Sequence, residues 1–218
     1  MDLRDIYIRH VEACLYWSDQ EKSKLNNDIL YNLNGMTGRK TRHFYNNLCS
    51  LPDSRYLEIG AWLGSSSISS LFMNPHCRAT IIDNWSEFNG NPEHFIQNVK
   101  THIPYNATYQ LINEDCFNLS YPLPRSYNLY LYDGAHDVLS QKKGITEFIK
   151  YLDPISIVVI DDWNYPPAQQ GTWEGFEESR VKILYKKEIL LTHDGSHTPY
   201  DKANVDYWNG MAVFVVEK

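Results

Sequence analysis

No stretch of this 218-residue chain carries the run of about 18 apolar residues that a membrane-crossing helix needs, so no membrane partner is expected. Basic clusters are missing too. Lys142-Lys143 and Lys186-Lys187 are isolated pairs, and 27 acidic against 20 basic residues leave a net charge of −7. Neutralising a phosphate backbone takes gathered Lys and Arg, so the charge argues against a nucleic-acid partner as well. The four cysteines (Cys14, Cys49, Cys77 and Cys116) form no C-x-x-C pair and no zinc-ligand spacing. They read as reduced thiols, and the opening Met1-Asp2-Leu3-Arg4-Asp5 is not a signal peptide, so a cytoplasmic protein is expected. No internal repeat, low-complexity segment or linker interrupts the chain. Hydrophobic content of 43% and charged content of 22% are those of a soluble globular protein. The expectation is one domain over residues 1–218, with a helical N-terminal extension (1–50) and an α/β core (51–218).

In the extension, Ser18-Asp19-Gln20-Glu21 has capping-box spacing ahead of Leu25, Ile29, Leu30 and Leu33, and Thr37 is placed to cap a helix carrying Phe44, Tyr45 and Leu48. From Arg55 onward strands and helices alternate. Strands are predicted at 55–59, 79–82, 109–112, 127–132 and 155–160, with two more near 181–191 and 211–217. Helices are predicted at 65–73, 92–102, 137–152 and 172–181, with Tyr165-Pro166-Pro167 read as a loop. Ile155 to Ile160 is continuously apolar, as a strand covered on both faces requires. The pattern predicts a doubly wound, Rossmann-like parallel sheet of seven strands with the last one antiparallel. Such sheets bind ligands beyond the carboxyl ends of their strands.

Acidic residues fall at those ends. Tyr56-Leu57-Glu58-Ile59 runs into Gly60-Ala61-Trp62-Leu63-Gly64 and then Ser65-Ser66-Ser67, a strand-to-helix turn whose glycines permit close backbone approach. Asp83 ends the second strand, where an acid can accept from both hydroxyls of a ribose. The chain has neither the Gly-x-Gly-x-x-Gly of dinucleotide sites nor a Gly-x-x-x-x-Gly-Lys phosphate loop. The ligand therefore has a ribose but needs no pyrophosphate cradle.

At these residues the chain resembles the class I S-adenosylmethionine-dependent methyltransferases. The resemblance runs from about Arg39 to the end. It implies that Glu58, Gly60, Gly64 and Ser65 line the methionine side of S-adenosylmethionine, that Asp83 holds the ribose, and that Asp115 and Cys116 edge the adenine. Asp133, His136 and the pair Asp161-Asp162 are similar to the arrangement in metal-dependent small-molecule O-methyltransferases, closest to the macrocin and mycinamicin sugar enzymes. That likeness implies Mg²⁺ on Asp133, Asp161 and Asp162, catalytic roles for His136 (the base) and Asp133, which also borders the cofactor, and a hydroxyl of a sugar or glycosylated compound as acceptor.

Charge supports a cation at that edge. Three converging carboxylates repel one another and raise each other's pKa unless a cation sits among them, and an all-oxygen donor set selects Mg²⁺, Mn²⁺ or Ca²⁺ over zinc. His136, with an ordinary pKa of about 6.5, can take a proton near neutral pH. Two alternatives stay open: a metal-independent methyltransferase using His136 alone, and a non-catalytic cofactor-binding or assembly protein on the same fold. The N-terminal helices could serve such an assembly as a homo-oligomer interface. Trp163, Tyr165 and Trp173 read either as a stacking surface for the acceptor or as packing under a loop. The loop carrying His193, Asp194 and His197 reads either as an acceptor cover or as a solvated surface.

Overall fold

The computed structural model describes residues 2–103, 107–124 and 126–218. Met1, the first residue of the predicted extension, lies outside them. Seven strands form one sheet: β1 (Arg55–Ile59), β2 (Arg78–Asp83), β3 (Thr108–Asn113), β4 (Tyr127–Tyr132), β5 (Leu152–Asp161), β6 (Lys182–Ile189) and β7 (Met211–Glu217). Their order is β3-β2-β1-β4-β5-β7-β6. β1 to β5 pair in parallel, and β7 lies antiparallel between β5 and β6. The chain winds outward from β1 to β3 and then returns to β4. The order therefore reverses between β1 and β4, so the connections leaving their carboxyl ends go to opposite faces of the sheet.

Period-two alternation sends side chains to two cores. Leu129, Leu131, Ile157 and Val159 face one side, while Tyr130, Tyr132, Val158 and Ile160 face the other. The tyrosines are tied as well as buried. Tyr130 OH donates to the Gly144 carbonyl at 2.6 Å, and Tyr132 OH donates to the carbonyls of Ala135 and Ser140 at 3.1 Å each. The helix crossing there, α6 (Val138–Thr146), comes close because residue 144 has no side chain; a Cβ on Gly144 would stand 2.4 Å from the Tyr132 ring.

Three helices precede the sheet: α1 (Leu3–Asp19), α2 (Asn27–Tyr31) and α3 (Arg39–Leu48). The face of α1 carrying Tyr7, Val11, Cys14 and Leu15 is buried in the same core as β4 and β5. The predicted capping box is not one. Ser18 lies in the last turn of α1, where its hydroxyl donates back to the Cys14 carbonyl at 2.6 Å, and α2 starts instead on Asn26, whose side chain accepts from Ile29 N. Thr37 caps nothing either. Gly38 begins α3, and the Thr37 hydroxyl donates to Ser65 Oγ at 2.8 Å. Buried Arg42 holds this segment by donating to the carbonyls of Thr37 and Ile29.

Between the strands lie α4 (Ser65–Leu71), α5 (Pro92–His102) and α7 (Pro166–Glu178). α7 starts six residues before the predicted Thr172. Pro166 and Pro167 occupy its first turn, where the missing N–H costs nothing, so the residues read as a loop in fact open the helix. α6 stops at Thr146, earlier than predicted, and a single 3₁₀ turn (Ile149–Tyr151) leads into β5 ahead of Pro154, which disfavours helix at the residue before it. A short helix, α8 (Tyr200–Ala203), folds within the segment read as a polar loop. Among the described residues no helix is long and apolar enough to cross a membrane.

Candidate active site

Gly60 follows β1 directly with φ +84°, and its N–H donates to the Ile82 carbonyl at 2.9 Å. A Cβ there would stand 1.9 Å from the Asp133 carbonyl oxygen, so glycine is required by both conformation and space. Gly64, at φ +89°, begins α4 and packs under Phe95. All seven residues of α4 are buried, five of them serines, and four of those hydroxyls find partners: Ser65 accepts from Thr37, Ser66 and Ser67 donate to the two oxygens of Glu58, the latter at 2.7 Å, and Ser69 donates to the Ser65 carbonyl. Burial raises the Glu58 carboxyl to about 7 against the pull of those two hydroxyls. Glu58 thus braces the turn from behind. Neither it nor Gly64 is among the described residues lining the cavity, whereas Gly60, Ser65, Asp83, Asp115, Cys116 and Asp133 all are.

Asp83 shapes the turn from the front. Its Oδ2 accepts from the N–H groups of Ala61 and Trp62 at 2.7 Å each, and Oδ1 accepts from Trp85 N at 2.6 Å. Only Oδ1 keeps spare acceptor capacity for a ligand hydroxyl. Asp115 accepts from Phe117 N and Asn118 Nδ2, fixing the bend after β3. Burial, helped by the charges of Asp115 and Glu147, pushes the Cys116 thiol up to about 12, so it stays neutral.

The second half of the site lies one strand over. Asp133 follows β4, Asp161 ends β5, and Asp162 turns away at φ +54°. His136 Nε2 stands 3.2 Å from Asp162 Oδ2 and 3.7 Å from Asp133 Oδ1. Burial, then the charges of Asp161 and Asp162, holds the Asp133 carboxyl well above the usual range. Burial and the neighbouring Asp162 raise Asp161 to about 8. Burial alone would lower His136, but the hydrogen bond and charge of Asp162, with the charge of Asp161, leave it raised. Asp161 Oδ1, Asp162 Oδ1 and His136 Nδ1 are buried without a hydrogen-bond partner.

Orphaned carboxylate oxygens among mutually repelling acids are a donor set that suits a hard divalent cation. Among the described residues, however, no three His, Cys, Asp or Glu side chains are already grouped as a metal requires. His136 stands against Asp133 and Asp162 instead.

Both halves open into one cavity of about 800 Å³. Its third wall comes from segments that carry no recognisable sequence signal: Met36 and Thr37 before α3, and His197, Thr198, Trp208 and Asn209 around α8. Thr37 was legible only as a helix cap, and α8 only as loop. Tyr165 ties this wall to the acids. Its ring stacks over His136 at 6.4 Å, and its hydroxyl lies 2.6 Å from His197 Nδ1. Trp163 and Trp173 do not join it. Trp163 is fully buried against Trp173 and Phe214, so that pair packs the core under α7. Of the loop residues His193, Asp194 and His197, only His197 is among the described lining residues.

Residues 57–163 match the family model described as a methyltransferase domain. No curated protein matches the chain. Among solved structures, the chain resembles the O-methyltransferase TomG from Streptomyces achromogenes, involved in tomaymycin synthesis and solved with SAM (16% identity, 100% of each chain covered, TM-score 0.62). It also resembles the Bacillus cereus O-methyltransferase in complex with SAH (15% identity, 94% of this chain and 97% of that one, TM-score 0.61). M. jannaschii TYW2, in complex with AdoMet, shares the fold at 11% identity over 80% of this chain and 74% of that one, with a TM-score of 0.56. At these identities the likeness establishes the fold, which is the Rossmann-like fold of the methyltransferases.

Proposed function

We propose that the chain is an S-adenosylmethionine-dependent O-methyltransferase acting on a hydroxyl of a small molecule, a sugar or glycosylated compound, with a divalent cation such as Mg²⁺ assisting. The observation that carries the reading is the single cavity in which the Gly60 turn and Asp83 meet the acid tips and His136. The donor supplies a methyl group already activated on a sulfonium. The Gly60–Ser65 turn and Asp83 give its amino-acid and ribose parts a close backbone surface, and Asp115 and Cys116 flank the base. Asp133, Asp161 and Asp162 would hold the cation, which lowers the pKa of an oxygen bound to it. His136, paired with Asp162 at 3.2 Å, would take the acceptor's proton. The remaining task is alignment of acceptor oxygen and methyl carbon, worth roughly 7–11 kcal/mol when done well.

Titration calorimetry with S-adenosylmethionine tests the donor. Micromolar binding is expected, and none at millimolar ligand would end the reading. Asp161→Asn should remove Mg²⁺-stimulated transfer, leaving donor affinity within about threefold because residue 161 sits on the acid side of the cavity. The Asp162–His136 pair at 3.2 Å favours a second reading, in which His136 acts without metal. Full activity in EDTA selects that reading.

A further inference from the structure

The cavity's charge is one-sided. Eight of its lining residues, from Asp83 to Asp162, are Asp or Glu, and among the described residues no Lys or Arg lines it. We infer that the acceptor is uncharged or cationic, and that compounds bearing a phosphate or carboxylate are turned away; this rests on the methyl-transfer reading above. The imbalance survives loading. A cationic donor and a divalent ion together offset three of those eight charges, and the wall stays net acidic. The third wall cannot correct it, because Met36, Thr37, Thr198, Trp208 and Asn209 carry no charge and His197 is engaged with Tyr165. An anion there would lose its hydration and find no counter-ion except the metal and His136, which already faces Asp162 at 3.2 Å and Asp133 at 3.7 Å. A cation would meet carboxylates and the faces of Trp208, Tyr200 and Phe88, which attract positive charge. The same lack of bases leaves the donor's own carboxylate to neutral N–H and O–H groups.

Matched trios of hydroxylated probes test this by saturation-transfer NMR on protein saturated with S-adenosylhomocysteine and Mg²⁺. One trio is dopamine, 4-ethylcatechol and 3,4-dihydroxyphenylacetate; another is glucosamine, methyl glucoside and glucose 6-phosphate. Neutral and cationic members should bind, and their anionic partners at least about tenfold more weakly. The gap should narrow as salt rises, which a purely steric preference would not do. Anionic members binding as tightly as neutral ones would overturn the inference. So would a failure of every member to bind once S-adenosylhomocysteine is in place, since the remaining space would then not be an acceptor site. Failure of S-adenosylhomocysteine itself to bind, checked beforehand by the same calorimetry, counts instead against the methyl-transfer reading.

Discussion

Glu58 is a fully buried acid whose neighbours are hydroxyls rather than bases. Its carboxyl holds a proton up to about 7 when folded, against 4.5 as the ordinary value. Between those limits the folded state binds more protons than the unfolded chain, so stability from this group is intact below pH 4.5 and falls as pH rises, by roughly 3 kcal/mol once pH exceeds 7. Glu58→Gln should remove that fall. Urea melts of parent and variant from pH 5 to 8 should diverge, the variant gaining with pH; parallel curves would show that the buried acid is already neutralised in another way. His136 makes a sharper kinetic case. His136→Gln keeps a polar side chain but cannot take a proton, and turnover should drop by about 10²–10⁴ with donor affinity nearly unchanged. A drop of less than threefold would mean that the ring only packs under Tyr165.

Elements place these residues, and the strand ends were plain from the chain alone. Apolar runs closing on Asp83, Asp133 and Asp161 announced both the parallel strands and the edge where a ligand would lie. Local chemistry was harder to read, because one residue type serves several purposes. Ser18 and Thr37 have the look of caps, yet one hydroxyl closes back on its own helix and the other reaches Ser65 in the cavity wall. Pro166-Pro167 suits a loop or a first turn equally well by sequence, and only packing against α6 decides. The third wall was illegible for a related reason: Met36, Thr198 and Trp208 matter through where α8 and the segment before α3 come to rest, not through any spacing of their own. The close contact between β1 and β4 gives an element-scale test. Gly60→Ala puts a methyl group against the Asp133 carbonyl in a left-handed residue, so it should cost about 2 kcal/mol or more in urea melts and weaken donor binding at least tenfold by calorimetry. An unchanged melt would mean that the two strand ends separate freely.

At the scale of the whole molecule, the cavity draws one wall from the glycine turn, one from the β4 and β5 tips, and one from segments some 160 residues apart in sequence, at Met36 and Thr198. Gly38 locks those two segments together, since a Cβ there would stand 1.8 Å from the Asp206 carbonyl oxygen. Gly38→Ala should therefore weaken acceptor binding while sparing the donor, measured as a rise in acceptor KM with donor Kd constant; equal losses of both would mean that the whole sheet edge has shifted. The position of β7 has a consequence for truncation. Among the described residues, β6 pairs with β7 alone, and β7 joins the sheet through β5. β6 therefore has no strand to dock on until β7 is in place, although it comes first in the chain. A purified chain ending at residue 205 should be cut by protease within 182–189 far faster than the full-length protein; equal rates would show that β6 holds without β7.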